Sequence, residues 1–237
     1  MNYFYISGTS RGIGKAITQE LLKGQHNFVY GLSRHNTFEN QNYQHITLDF
    51  SQPDQSRTFS FGDHTDAEKI VLINNAGILG HVTPVGGLYT DKIIRSYHIN
   101  LVSPAILINK FMDRYKDHSA ERMIINISSG AASHTVPSWS TYCSTKAGLE
   151  MFARVIMDEQ QDVEQPVKVY SIAPGVVDTE MQDEIREVEP ENFRELDRFV
   201  KLKKDGLLVD PNDVAKKFAD IMDHPENYPK SIMDLRE

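Results

Sequence analysis

Short runs rich in β-branched and aromatic residues take turns along this chain with longer stretches of helical periodicity, and that alternation constrains the fold more than any other feature. The strand-like runs are residues 3–6, 28–32, 45–48, 70–73, 123–127 and 167–172. Residues 13–23 carry apolar side chains at 13, 16, 17, 21 and 22, the one-sided stripe of an amphipathic helix. Residues 147–157 are apolar almost all round and are expected to be covered on both sides. Strands that alternate with helices are joined by crossovers, so they lie parallel, with helices on both faces. The reading is α/β, a doubly wound parallel sheet. With 237 residues, 40% of them hydrophobic, the chain fits one domain over 1–237 around one core.

Beyond Thr179 the pattern changes to a charged stretch, with nine acids between Asp178 and Asp197. Pro190 is expected to split it into two short helices, an excursion at about 180–205 that is either a solvated face or a cover over a binding site. Asp210-Pro211 then opens a last helix, with proline at its first position, running to about Asp223 before a short strand near 232–235.

Charge and cysteine content exclude several classes. The 25 Lys+Arg against 33 Asp+Glu give a net charge of −8, the wrong sign for neutralising a nucleic-acid backbone. Cys143 is the only cysteine, so neither an intrachain disulfide nor a cysteine-held zinc is available. The nine histidines show no H-x-x-x-H pairing, and no metal is expected. The opening residues lack a basic region and reach Gly8 after one short apolar run, which reads as a strand and not a secretory signal. No apolar run approaches the length of about 18 residues that a membrane span needs. The expectation is a soluble, cytoplasmic protein.

The first strand runs into Gly8-Thr-Ser-Arg-Gly12-Ile-Gly14. Glycines there let the backbone turn sharply and approach a pyrophosphate, whose charge the following helix N-terminus stabilises. A tight strand-to-helix turn alone would explain the glycines, but their place after strand one favours a Rossmann-type dinucleotide site through Gly8, Ser10, Arg11, Gly12, Ile13 and Gly14. About 20 residues on, such folds carry an acid for the adenosine 2′-hydroxyl or an arginine for a 2′-phosphate. Here Arg34 falls at that place, and no acid occurs in 28–37. With Arg11 it would pair with the extra phosphate, which predicts NADP(H) over NAD(H).

Tyr142-Cys-Ser-Thr-Lys146 sets a phenol and an ammonium one helical turn apart on one face. The ammonium is expected to pull the phenol pKa from about 10 toward 7, a differential stabilisation of roughly 4 kcal/mol shared with an oxidised nicotinamide. Ser129 closes the strand-like run before it, in Ile125-Asn-Ile-Ser-Ser129-Gly.

Taken with Asn74-Asn-Ala-Gly77, Asn100 and Pro174-Gly175, these motifs resemble the short-chain dehydrogenase/reductase family, in family order and over nearly the whole chain. Ser7 stands where the family usually has threonine, and the hydroxyl is kept. The resemblance implies a catalytic set of Asn100, Ser129, Tyr142 and Lys146: Tyr142 gives a proton to the carbonyl oxygen, Ser129 hydrogen-bonds it, Lys146 holds the nicotinamide ribose, and Asn100 supports a water path. For Asn100 a side chain bonding its own helix backbone stays open. The cofactor contacts it implies are Asp49 and Phe50 at the adenine, Asn75, Ala76 and Gly77 along the adenosine and ribose, and Pro174, Gly175, Val177 and Thr179 at the carboxamide. Thr179 could otherwise be a cap on the helix that follows. A homodimer or homotetramer joined through the helices after Asn100 and Tyr142 is also implied.

The second half is most similar to the branch of sepiapterin reductases and bacterial reductases of benzil-type diketones. The residues that carry this are Trp139-Ser-Thr-Tyr-Cys143, Ala173-Pro-Gly-Val-Val-Asp-Thr-Glu-Met-Gln182, Lys204-Asp-Gly-Leu-Leu-Val-Asp210 and Asp234. The implied activity is NADPH-dependent reduction of a ketone or vicinal dicarbonyl. Asp234 would anchor a pterin edge, unless it is an ordinary exposed acid; Trp139 would wall a planar substrate, unless it packs in the core. The alternative is a catalytically silent NADP(H)-sensing protein of the same fold.

Overall fold

The structure, a computed structural model, describes residues 1–236. Its strands are β1 (Asn2–Ser7), β2 (Asn27–Ser33), β3 (Tyr43–Thr47), β4 (Lys69–Asn74), β5 (Glu121–Ile127), β6 (Lys168–Ala173) and β7 (Ile232–Asp234). They form one sheet in the order β3-β2-β1-β4-β5-β6-β7, with every neighbouring pair parallel. The order reverses between β1 and β4, and in such sheets the crevice outside the carboxyl ends of the strands at that point is where ligands bind. The expected run at 45–48 is found at 43–47 as β3: Tyr43 and Gln44 already pair with Val29 and Tyr30 of β2, and Leu48 leaves the ladder and turns into the core.

Both faces of the sheet are covered, and the strand residues sort between them by the period of two. Tyr5, Ile70, Leu72 and Ile124 pack against Leu107, Ile108 and Phe111 of α4 (Ser103–Tyr115) and Leu149, Ala153 and Ile156 of α5 (Ser140–Glu159). Phe4, Ile6, Val71, Ile73 and Ile125 pack against Ala16, Ile17 and Leu21 of α1 (Gly12–Leu21) and Val214, Phe218 and Ile221 of α8 (Pro211–Asp223). Truncating one such fully buried side chain to alanine costs about 2–5 kcal/mol. α8 starts as expected: the Asp210 carboxylate accepts from the Asn212 N–H at 2.7 Å, and Pro211 opens the first turn.

The expectation of cover on both sides of 147–157 holds for one side only within this chain. Leu149, Ala153 and Ile156 are buried, whereas Met151, Phe152 and Val155 are 60%, 37% and 49% exposed. The remaining helices are α2 (Pro53–Thr58), α3 (Thr90–Tyr97), α6 (Glu180–Arg186) and α7 (Leu196–Lys204). A 3-10 turn at Pro190–Asn192 separates α6 from α7, where proline interrupts the pattern. Ile185, Phe193 and Phe199 of this excursion are buried against Trp139 and Tyr142, so it covers one end of the crevice. Among the described residues no helix is long and apolar enough to cross a membrane.

Candidate active site

The carboxyl ends of β1 and β4 are tied together before any ligand is considered. The Ser7 hydroxyl accepts from the backbone N–H groups of Asn75 (2.9 Å) and Ala76 (3.0 Å), and the Asn75 amide donates to the carbonyls of Ser7 and Gly8. This close approach needs glycine at 14, since a Cβ there would stand 2.3 Å from both the Asn75 amide nitrogen and the Gly8 oxygen. The turn delivers the chain into α1, whose N-terminus is capped by no side chain among the described residues. Its N–H groups are therefore available to an anion, which fits a pyrophosphate.

From this turn a cleft of about 560 Å³ runs along the sheet edge to Tyr142. Gly8, Ser10, Arg11, Gly12, Ile13, Arg34, Asp49 and Phe50 line one half, and Asn75, Ala76, Gly77, Ser129, Tyr142, Lys146, Pro174, Gly175, Val177 and Thr179 the other. Gly14 stands behind the wall, as its packing role requires. At the Arg34 end of the cleft the Asp49 carboxyl is held below its usual range: burial pushes it up, but bonds from Ser51 and the charges of Arg34 and Arg95 outweigh that. Arg95, on α3, had no motif to mark it. Arg11 reaches Glu184 of α6 at 3.3 Å, so the glycine turn and the excursion are joined.

At the other end Tyr142 and Lys146 come from the first turns of α5 and are both buried. The Lys146 Nζ donates to the Ile127 carbonyl at 2.6 Å and lies 5.8 Å from the Tyr142 ring centre. Burial pushes the ammonium down to about 8. Tyr142 moves opposite to the expected shift: burial pushes it up to about 12, with only the Ser129 hydroxyl beside it acting downward. The desolvated phenol keeps its proton, because the low-dielectric site penalises phenolate more than the bond from Ser129 stabilises it. Ser129 is fixed at the head of a 3-10 turn, its oxygen accepting from the Ala131 N–H at 3.2 Å.

Asn100 sits in a π-helical turn, His98–Val102, the kind of irregularity that often marks functional sites. It does not bond its own helix. Its amide accepts from the Ile78 N–H (2.9 Å) and donates to the Ile78 carbonyl (2.8 Å) and to the Thr145 hydroxyl (3.2 Å). Asn100 thus stands behind the cleft and, through Ile78, holds the loop after β4 that carries Asn75–Gly77 against the helix that carries Lys146.

The substrate end is aromatic. Trp139 stacks on Phe193 at 5.4 Å and meets Tyr142 edge-on at 5.6 Å. Trp139 is at once a wall of the cleft and part of a packed cluster, so both readings of it apply. Among the described residues, the indole N–H of Trp139 and the amide oxygen of Gln182 are buried without a partner. Asp234 does not line the cleft; Arg236 engages its carboxylate through Nε at 2.8 Å, and it is Arg236 that reaches the cleft. No sequence pattern marked Arg236, because its placement depends on β7 joining the sheet beside β6.

Fold and site together define a dinucleotide-binding α/β domain whose crevice ends in a buried phenol and ammonium beside a serine hydroxyl. The chain belongs to the short chain dehydrogenase family, whose model matches residues 2–190, and is an oxidoreductase of the C=O/CH–OH pair. It is 37% identical to benzil reductase ((S)-benzoin forming) of Bacillus cereus over 243 residues, 97% of each chain. It is 34% identical to sepiapterin reductase of Xenopus tropicalis over 161 residues, 66% of this chain and 59% of that one. The crystal structure of a short chain dehydrogenase/reductase from Saccharomyces cerevisiae superposes with a TM-score of 0.84 at 27% identity, covering 100% of this chain and 97% of that one.

Proposed function

We propose that the protein is an NADPH-dependent carbonyl reductase that converts a vicinal diketone into an α-hydroxyketone, with Tyr142 as proton donor. The observation that carries this is the convergence of Ser129, Tyr142 and Lys146 at the aromatic end of the cleft. When bound, NADPH supplies the hydride. The chain's own part is to bind, orient and protonate. Ser129 and Tyr142 donate to the substrate oxygen, and the Tyr142 phenol passes its proton to that oxygen as negative charge develops there. Trp139 and Phe199, backed by Phe193, exclude water and seat a flat substituent. Lys146 holds the ribose, and Arg34 with Arg11 takes the 2′-phosphate.

A diketone is favoured over a pterin on two grounds. Similarity to the Bacillus benzil reductase extends over the full chain, whereas the sepiapterin reductase match covers 66% of it. The Asp234 carboxylate, which would hold a pterin edge, is turned to Arg236 instead. The exposed Met151, Phe152 and Val155 of α5 support a homodimer or homotetramer through that face, and the protein is read as cytoplasmic. The test follows NADPH absorbance with benzil, 1-phenyl-1,2-propanedione, sepiapterin and simple ketones. Turnover of the diketones above the rest supports the reading; turnover of sepiapterin alone sinks it.

A further inference from the structure

Gly31 of β2 leaves a gap on the face of the sheet that packs against α1, and a side chain from the next strand fills it. A Cβ at Gly31 would stand 2.6 Å from Cζ of Tyr43, so the phenol of β3 crosses there only because glycine is present. The Tyr43 hydroxyl lies 3.2 Å from that of Thr9, which lies 3.2 Å from that of Ser33, which lies 2.9 Å from the carbonyl oxygen of His35. Each hydroxyl has one proton and the carbonyl can only accept, so the direction of the chain is fixed: Ser33 donates to His35, Thr9 to Ser33, and Tyr43 to Thr9. Thr9 and Ser33 are buried, and hydroxyls in series away from water polarise one another. His45 adds a bond from Nε2 to the Ser33 carbonyl at 3.0 Å. Thr9 stands between Gly8 and Ser10, which line the cleft, while Ser33 and His35 flank Arg34. The β1–β2 ladder ends with Ser7 opposite Leu32, and past that point the three hydroxyls hold residues 33–35 to the glycine turn.

We propose that Tyr43 is a positioning residue for cofactor selection, which through Thr9 and Ser33 sets the spacing between the glycine turn and Arg34. The assignment rests on the reading above that the turn takes the pyrophosphate and Arg34 the 2′-phosphate. Both anions belong to one adenosine. The second contact therefore adds to the first, without a new loss of translational freedom, only where the protein holds the two sites at the matching distance. NADH lacks the 2′-phosphate and engages the turn without Arg34, so its binding is indifferent to that spacing. Tyr43 does not line the cleft and acts through the two hydroxyls.

Dissociation constants for NADPH and NADH are measured by fluorescence titration with the full chain and its Tyr43→Phe, Thr9→Val and Thr9→Ser variants. Tyr43→Phe keeps the ring and its packing on Phe38 and loses the hydroxyl. The expected result is NADPH bound about 3- to 10-fold more weakly by Tyr43→Phe, the worth of one hydrogen bond, with NADH affinity unchanged. Thr9→Val, which breaks two bonds of the chain, should lose at least as much, and Thr9→Ser, which keeps the hydroxyl, should restore the wild-type preference. An equal loss for both cofactors overturns the assignment, because a turn that is merely loosened weakens both. Unchanged NADPH affinity overturns it too. If Tyr43→Phe does not fold, the contrast between Thr9→Val and Thr9→Ser decides. Wild-type protein that binds NADH as tightly as NADPH defeats the reading of Arg34 itself. A wild-type preference for NADPH that persists in Tyr43→Phe and Thr9→Val defeats only the role of Tyr43.

Discussion

Lys146 and Ile127 are joined by a hydrogen bond of 2.6 Å from Nζ to the main-chain oxygen, which pins a buried ammonium at the carboxyl end of β5. Burial leaves that ammonium with a pKa of about 8. In the proposed role of Lys146 the ammonium is the working form, so kcat/KM for ketone reduction should fall as pH rises through about 8. Stability moves the other way. A folded pKa depressed from 10.5 contributes stability above that value and loses it as pH falls toward 8, so between these limits stability rises while activity declines. Rate profiles and melting curves across this window check both slopes; parallel declines would mean that unfolding accounts for the lost activity.

Tyr142→Phe removes the proposed proton donor and leaves the ring. Reduction should drop by at least about 10²- to 10⁴-fold with NADPH affinity retained, as read by turnover and by fluorescence titration. Wild-type-like turnover in this variant would return the catalytically silent, cofactor-sensing reading to the front.

Arg34→Ala should cut the NADPH-over-NADH preference in kcat/KM by about 10- to 100-fold, the loss of one charge-assisted pair with a phosphate. The preference should also weaken as salt is raised, because Arg34 is exposed. A preference that survives the substitution moves selectivity to Arg11 or elsewhere.

Gly14→Ala places a Cβ against the Asn75 amide and the Gly8 carbonyl, both at 2.3 Å. The Gly8 oxygen is backbone and the Asn75 amide is pinned by its bonds to the Ser7 and Gly8 carbonyls, so the turn must open. Cofactor affinity should fall at least about tenfold, with the melting temperature down by several degrees. Calorimetry of the unliganded protein and a binding titration separate the two effects.

Val155→Glu puts a charge on the exposed apolar face of α5. Light scattering should show a lower mass than wild type, since desolvating an unpaired carboxylate opposes association. A wild-type monomer would remove this face from consideration as an interface.

Much of this was readable from residues close together in the chain. The parallel sheet follows from runs such as 70–73 and 123–127, whose period-two residues divide between two cores. The glycine turn was legible because its geometric need is local. The direction of the Tyr142 shift was not: Tyr142 and Lys146 are neighbours on a helix by spacing alone, but burial, which dominates both, comes from Trp139, Phe193 and β5. Arg236 and Arg95 were invisible for the same reason. Each reaches the cleft through strand order or helix packing, and no sequence spacing encodes that.

Trp139 is the single tryptophan of the chain, and it stands edge-on to Tyr142 in the wall of the cleft. The intrinsic indole emission of the whole protein therefore originates at one point, a few ångströms from the reacting groups. A reduced nicotinamide absorbs where indole emits, so cofactor arrival quenches that signal by energy transfer. A flat ligand pressed against the ring would shift its colour. The molecule carries its own optical probe, and binding order can be followed in a stopped-flow cell without attaching a label.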